Sequence, residues 1–161
     1  MATGVVVRNV GNVFNRSSPL GLLLALAGRG RLRMRHGLIV ADRATLPLVT
    51  ASALTVGSVV LVPRRSLEEA TAQIPGLLEH ESEHAWQYAY CLGLPFLPLY
   101  LLATAWSWLR TRDRAAANFF EAQAGLALGG YATETDRKDV SRAGGARSGR
   151  PAAPHADGAD A

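Results

Sequence analysis

Residues 77–88 read Leu77-Leu78-Glu79-His80-Glu81-Ser82-Glu83-His84-Ala85-Trp86-Gln87-Tyr88, with Pro75-Gly76 immediately before them. No proline or glycine interrupts the run, so the pattern predicts a helix that opens on Pro75 and ends near Cys91. Inside it, His80-Glu81-Ser82-Glu83-His84 fits H-E-x-x-H. Four residues advance a helix by about 400°, which sets His80 and His84 one turn apart on one face, able to grip a single cation. Glu81 lies beside the first histidine rather than beneath it. Its carboxylate is therefore free to bond a water molecule, the position of a general base. With four histidines and seven glutamates in 161 residues, about 0.004 such matches are expected by chance. Glu79 and Glu83 project away from the histidine face and read as solvated.

The single cysteine, Cys91, excludes an intrachain disulfide and any thiolate cluster. A metal held here must use imidazole and carboxylate, a donor set that suits Zn2+ and leaves a fourth coordination position open. Cys91 itself falls two turns past His84, about 10 Å along the axis, too far to join the same ion, and reads as a small buried apolar residue. A third ligand is expected from a later helix. Glu121 follows Asn118-Phe119-Phe120, but with Asn118 as N-cap it also occupies N3, where a capping carboxylate belongs. Spacing leaves both roles open. Asp113, among Arg110, Arg112 and Arg114, is the competing ligand.

Upstream, Pro19 to Gly28 is a leucine-rich run behind Arg8 and Arg16, and Ala25-Leu26-Ala27 imitates a cleavage site. A short core helix is the default reading, with a signal peptide as the alternative. Arginines alternate with Gly30, Leu32 and Met34 from Arg29 to Arg35, a period of two that predicts a strand with one solvated face. Leu38-Ile39-Val40 and Leu54 to Val62 are β-branched runs bounded by glycine and proline, which adds two or three strands. Ser66-Leu67-Glu68-Glu69 has capping-box spacing and opens a helix.

Downstream, residues 85–109 carry no charged side chain. Gly93, Pro95 and Pro98 divide them, and the helical remainder from Phe96 to Leu109 is shorter than the roughly 20 residues that span a bilayer. A buried core helix is expected. Trp106 and Trp108 beside Arg110, Arg112 and Arg114 also resemble an interfacial anchor, so Phe96–Arg114 is the segment for any peripheral membrane contact. A last helix is expected from Asn118 to Gly129-Gly130. Residues 132–161, rich in Ala, Gly, Arg and Asp with Val140 as their one large aliphatic residue, read as a disordered tail. The fold expected is α+β: one zincin-like minimal domain over residues 1–131, with a short N-terminal sheet followed by a helical bundle that carries the H-E-x-x-H helix.

The motif stretch, together with Gly93-Leu94-Pro95-Phe96-Leu97-Pro98-Leu99-Tyr100 and Asn118-Phe119-Phe120-Glu121-Ala122-Gln123-Ala124-Gly125, resembles the DUF4157-type, gluzincin-like metallopeptidase domains of bacteria. Among these it is nearest to small actinobacterial domains. The likeness covers about residues 37–131. It implies His80, His84 and Glu121 as zinc ligands and Glu81 as catalytic base. Gln123 and Gly125 stand where the family often has acidic residues, which implies weaker support around the ligands. Beyond zinc, a peptidase needs a donor for the oxyanion, for which His36 and Tyr131 are candidates.

The function expected is a zinc-dependent peptide hydrolase in which Glu81 activates a water that attacks a zinc-polarised carbonyl, with a peptide or protein as substrate. A non-catalytic zinc-stabilised domain in membrane or partner association is the alternative. Charge is divided along the chain: residues 1–65 hold nine basic and one acidic side chain, whereas 66–109 hold five glutamates and no base. The motif helix thus lies in an acidic region that favours a cation and disfavours a phosphate backbone, and no nucleic-acid partner is expected. The expected location is cytoplasmic or peripheral to a membrane.

Overall fold

The computed structural model describes residues 2–47 and 49–131; the tail expected over residues 132–161 lies outside the described residues. Ten elements follow in order: α1 (Ala2–Phe14), α2 (Ser17–Ala27), β1 (Arg31–Arg35), β2 (Leu38–Ala44), β3 (Leu54–Val56), β4 (Val59–Pro63), α3 (Leu67–Gln73), α4 (Leu77–Tyr90), α5 (Phe96–Thr111) and α6 (Phe119–Ala124). The class is α+β, as expected. Two helices precede the sheet, however, and the first is not among the elements that sequence pattern predicts.

The four strands form one mixed sheet in the order β1-β2-β4-β3. β2 pairs with β4 in parallel, while the β1–β2 and β3–β4 pairs are antiparallel. Every residue of β4 is buried, as a strand covered on both faces must be. Val60 and Val62 point into a cluster with Leu67 and Ala70 of α3 and Leu77 and Leu78 of α4. Val59 and Leu61 point the other way, into a cluster with Ala25 of α2, Tyr88 and Phe96. The period-two alternation of one five-residue strand therefore feeds two clusters, with α3 on one side, α2 and α5 on the other, and α4 contributing to both. The α2 layer lies close: a Cβ on Gly21 would come within 2.4 Å of the Val56 carbonyl oxygen.

Local chemistry sets the helix boundaries. Ser66 accepts from the Glu69 amide and the Glu69 carboxylate accepts from the Ser66 amide, closing both halves of the expected capping box. Pro75 is not the first residue of α4; the helix begins at Leu77 with Gly76 as N-cap. α1 reverses the usual amphipathic pattern, which is why its sequence does not announce it. Arg8 and Asn12, four residues apart, face inward, while Val6, Val7, Val10 and Val13 face solvent. Arg8 donates to Ser82 Oγ at 2.9 Å and to the Gly37 carbonyl at 3.1 Å. Asn12 donates to the Ala85 carbonyl at 2.8 Å. These bonds fasten α1 to the outer side of α4.

Three expectations are corrected downstream. α5 is not a buried core helix: only Phe96 and Ser107 are buried, because α5 meets the rest of the fold along one narrow stripe. The last helix does not reach Gly129 but ends at Ala124, where Gly125 turns the chain at φ +89°. Cys91 is half-buried at the edge of the second cluster rather than fully enclosed. Among the described residues no helix is long and apolar enough to cross a membrane.

Candidate metal centre

α4 lies along β3 and under α6, and the candidate residues meet where these three elements converge. His80, Glu81 and His84 are buried on the inner side of α4, whereas Glu79 and Glu83 are exposed, as the helical period predicts. His80 Nε2 and His84 Nε2 stand 3.1 Å apart. α6 brings Glu121 over them, with Oε2 3.2 Å from His80 Nε2 and Oε1 3.7 Å from His84 Nε2. The three groups are buried, offer one ligand atom each within 4.8 Å of one another, and could hold a metal ion.

The hydrogen bonds around the rings show why these atoms suit a cation. His80 Nδ1 lies 3.1 Å from the Gly125 carbonyl oxygen, which can only accept, so Nδ1 carries the proton. His84 Nδ1 lies 2.8 Å from Gln87 Oε1. The Gln87 amide nitrogen donates to the Phe120 carbonyl at 2.9 Å and to Gln123 Oε1 at 3.0 Å, which fixes its oxygen toward His84. Both rings therefore place a hydrogen on Nδ1 and turn Nε2 inward, where the neutral imidazole offers a lone pair. Glu121 Oε2 is buried, and its contact is with His80 Nε2 at 3.2 Å. Two lone pairs and a carboxylate converging in a buried space repel one another unless a positive charge sits among them.

His80 and Glu121 push one another's pKa in opposite directions. Burial pushes the His80 imidazolium down, but its bond to Glu121 and the charges of Glu81 and Glu121 outweigh burial and hold its pKa above the ordinary value. Burial pushes the Glu121 carboxyl up, and bonds from His80 and Tyr100 overcome this to hold it below the usual carboxylate range. Glu81 behaves oppositely: burial dominates, the charge on His84 and the Thr55 hydroxyl only partly offset it, and its pKa is raised. Thr55 of β3 donates to Glu81 Oε2 at 2.7 Å and holds that carboxylate apart from the ligand cluster.

A cleft of about 500 Å³ opens over the cluster, lined by His80, Glu81, His84 and Glu121 together with Thr55, Tyr88, Tyr100 and Tyr131. Of the two ligand candidates open to sequence, Glu121 joins the histidines. Its carboxylate does not serve as a cap, because Asn118 caps α6 alone by accepting from the Phe120 amide. Asp113 instead accepts from the Ala115 and Ala116 amides. Of the two oxyanion candidates, Tyr131 lines the cleft with its ring 5.9 Å from that of His80. His36 sits exposed between β1 and β2 and does not line it.

Four supporting residues escaped sequence reasoning. The Tyr100 hydroxyl donates to Glu121 Oε1, Thr55 holds Glu81, Gln87 orients His84, and Gln123 holds Gln87. Gln123 and Gly125 both support the cluster: Gln123 accepts from Gln87, and the Gly125 carbonyl accepts a hydrogen bond from His80 Nδ1. No sequence signal marks these roles, except that Gln87 lies three residues after His84 on the same helix.

Fold and site together define an α+β protein with a buried two-histidine, one-carboxylate cluster competent to hold a metal ion. No known protein family, curated protein or solved structure compared with the chain matches it.

Proposed function

We propose that this protein is a zinc-dependent hydrolase of the gluzincin type that cleaves peptide bonds. One observation carries the reading: the two Nε2 lone pairs and the Glu121 carboxylate converge at the floor of a cleft, while Glu81, from the same helix turn, is held out of the cluster by Thr55. Two imidazoles and a carboxylate are the donor set of catalytic rather than structural zinc sites. Zinc bound there would supply Lewis acidity toward a carbonyl oxygen and would acidify water.

The chain's own groups do the rest. Gly125 and Gln87 fix the histidine tautomers, so His80 and His84 offer Nε2 without reorganisation. Glu81, whose pKa burial raises, takes a proton from the attacking water and passes it to the leaving amine. Thr55 fixes one oxygen of that carboxylate during both transfers. Tyr131 stands in the cleft as a donor for the developing oxyanion.

The test is zinc content and peptide hydrolysis measured together. Wild type is expected to hold near-stoichiometric zinc, His84→Ala and Glu121→Ala to lose it, and Glu81→Gln to keep it while losing hydrolysis of a broad peptide library. A wild type that binds no zinc, or a Glu81→Gln variant as active as wild type, would overturn the reading. The non-catalytic alternative has one observation in its favour: α6 is only six residues long and meets α4 through the ligand cluster and Gln87, so a metal would also staple the two helices together. Zinc-loaded wild type that cleaves nothing and unfolds on chelation would select that alternative.

A further inference from the structure

α5 is apolar almost all round, yet the fold covers little of it. Between Phe96 and Leu109 it has no charged residue. Leu101, Leu102, Trp106 and Leu109 are 65%, 68%, 59% and 66% exposed. A helix hydrophobic on all sides normally lies in a core or in lipid, and an exposed apolar surface of this extent marks an interaction site. The helix also has a polar end. Leu102, Trp106 and Arg110 follow at four-residue intervals along one face, and Arg110, Arg112 and Arg114 are all exposed. The Arg112 guanidinium lies 4.9 Å from the centre of the Trp108 ring. Tryptophan and arginine grouped at the end of an apolar segment suit the boundary between lipid and water. At 16 residues the helix is about 24 Å long, short of the roughly 30 Å of a bilayer's hydrocarbon.

We infer that α5 and the arginines after it dock this protein on an anionic lipid surface. Leu101, Leu102, Trp106 and Leu109 enter the acyl boundary, and Arg110, Arg112 and Arg114 meet the phosphate headgroups. Charge complementarity favours this occupant: three exposed arginines follow the apolar face directly, in the order that acyl chains and anionic headgroups present. Leu101 and Arg114 also line the metal cleft, so docking sets the rim of the cleft at the lipid surface. If the cleft is that of the proposed hydrolase, on which this clause alone rests, its substrate is a membrane-associated peptide.

Vesicle flotation of the full chain tests the docking. The protein is expected to float with vesicles of phosphatidylglycerol and phosphatidylcholine, to stay behind with phosphatidylcholine alone, and to release as salt is raised. Arg110→Gln/Arg112→Gln/Arg114→Gln should weaken binding on the order of a hundredfold, and Leu102→Ser/Trp106→Ser at least about tenfold. An unchanged thermal denaturation midpoint in each variant shows that the fold survives. Glu81→Gln should float like wild type, which separates failure of docking from failure of the hydrolase reading. Absence of flotation with anionic vesicles, or flotation that both variant sets leave unchanged, overturns the inference. So does a dimer seen by sedimentation that Leu102→Ser/Trp106→Ser dissociates while wild type ignores vesicles, which assigns the face to a second copy.

Discussion

Replacing Gln87 by leucine should weaken zinc binding by about ten- to a hundredfold, although Gln87 offers no atom to the metal. Gln87 Oε1 is the acceptor that keeps the His84 proton on Nδ1, at 2.8 Å. Without it, His84 is free to rotate or to place its proton on Nε2, where it blocks coordination. That loss corresponds to about 1.4–2.7 kcal/mol of binding. The fold pays separately. Gln87 is 2% exposed, and its amide also holds the Phe120 carbonyl and Gln123 Oε1. Leaving buried partners unmatched costs about 1–3 kcal/mol each, with partial relief where α6 can relax and admit water. The metal-free variant should therefore lose about 2–4 kcal/mol of stability, a magnitude set by two or three broken bonds rather than one. Competition with a chromophoric chelator gives the zinc affinity, and urea denaturation of the metal-free protein gives the stability. Gln87→Glu supplies the control: it keeps an acceptor for Nδ1 and makes it anionic, so zinc affinity should hold or rise even as the bonds to α6 are lost. If Gln87→Leu binds zinc within twofold of wild type, the tautomer argument for the site fails.

Two further predictions concern the fold. Tyr88 is fully buried and its hydroxyl has no hydrogen-bond partner, so Tyr88→Phe should stabilise the protein by about 1 kcal/mol in thermal or urea denaturation. Burial also raises the Tyr88 pKa above its ordinary 10.0. The neutral phenol is favoured in the folded state, so its contribution is whole below about pH 10 and is lost as pH climbs toward the folded pKa, by about 1.4 kcal/mol per pH unit. Tyr88→Phe should remove that part of the alkaline loss, and a phenylalanine variant with an unchanged alkaline limb would refute it. Gly21→Ala sets a helix-propensity gain of about 1 kcal/mol against a Cβ 2.4 Å from the Val56 carbonyl oxygen. Overpacking of this kind costs about 1–3 kcal/mol, and because the obstacle is backbone, a net loss is expected; a raised melting temperature would show that α2 can move off the sheet.

The acidic motif helix argues for a cation whether or not the chain proves catalytic, and the two readings of the metal make different demands on Glu81. A staple has no use for a buried carboxylate held out of the ligand set by a threonine 26 residues upstream. Such a group costs stability, since its charged form is poorly solvated. Groups held at that cost gather at sites of chemistry. This separates Glu81 from Glu79 and Glu83, its neighbours on the solvated face.

Features governed by local geometry were legible in sequence. The one-turn spacing of His80 and His84, the Ser66–Glu69 capping box and the β-branched runs of the sheet each depend on residues a few positions apart, whose relative placement follows from the period of helix or strand. The alternation over Arg31–Arg35 marked a strand, but all five residues are exposed rather than one face of them. Glu121 was legible only as one of two candidates, because its choice between cap and ligand depends on which way α6 faces. The supporting residues were not legible at all. Tyr100 reaches Glu121 across 21 residues and Gln87 reaches Phe120 across 33, distances over which no sequence period carries information. α1 was hidden because its buried face is polar, so hydrophobic pattern, the usual guide to the inner side of a helix, points the wrong way. α5 misled for the opposite reason: its composition demands an apolar medium, but composition does not say whether the fold or something outside it supplies that medium. By itself the sequence determined which residues could bind a metal and that two of them share a helical face. The tertiary structure decided which carboxylate joins the two histidines, which ring nitrogens face it and how Glu81 is held, because each depends on the meeting of segments that the chain keeps far apart.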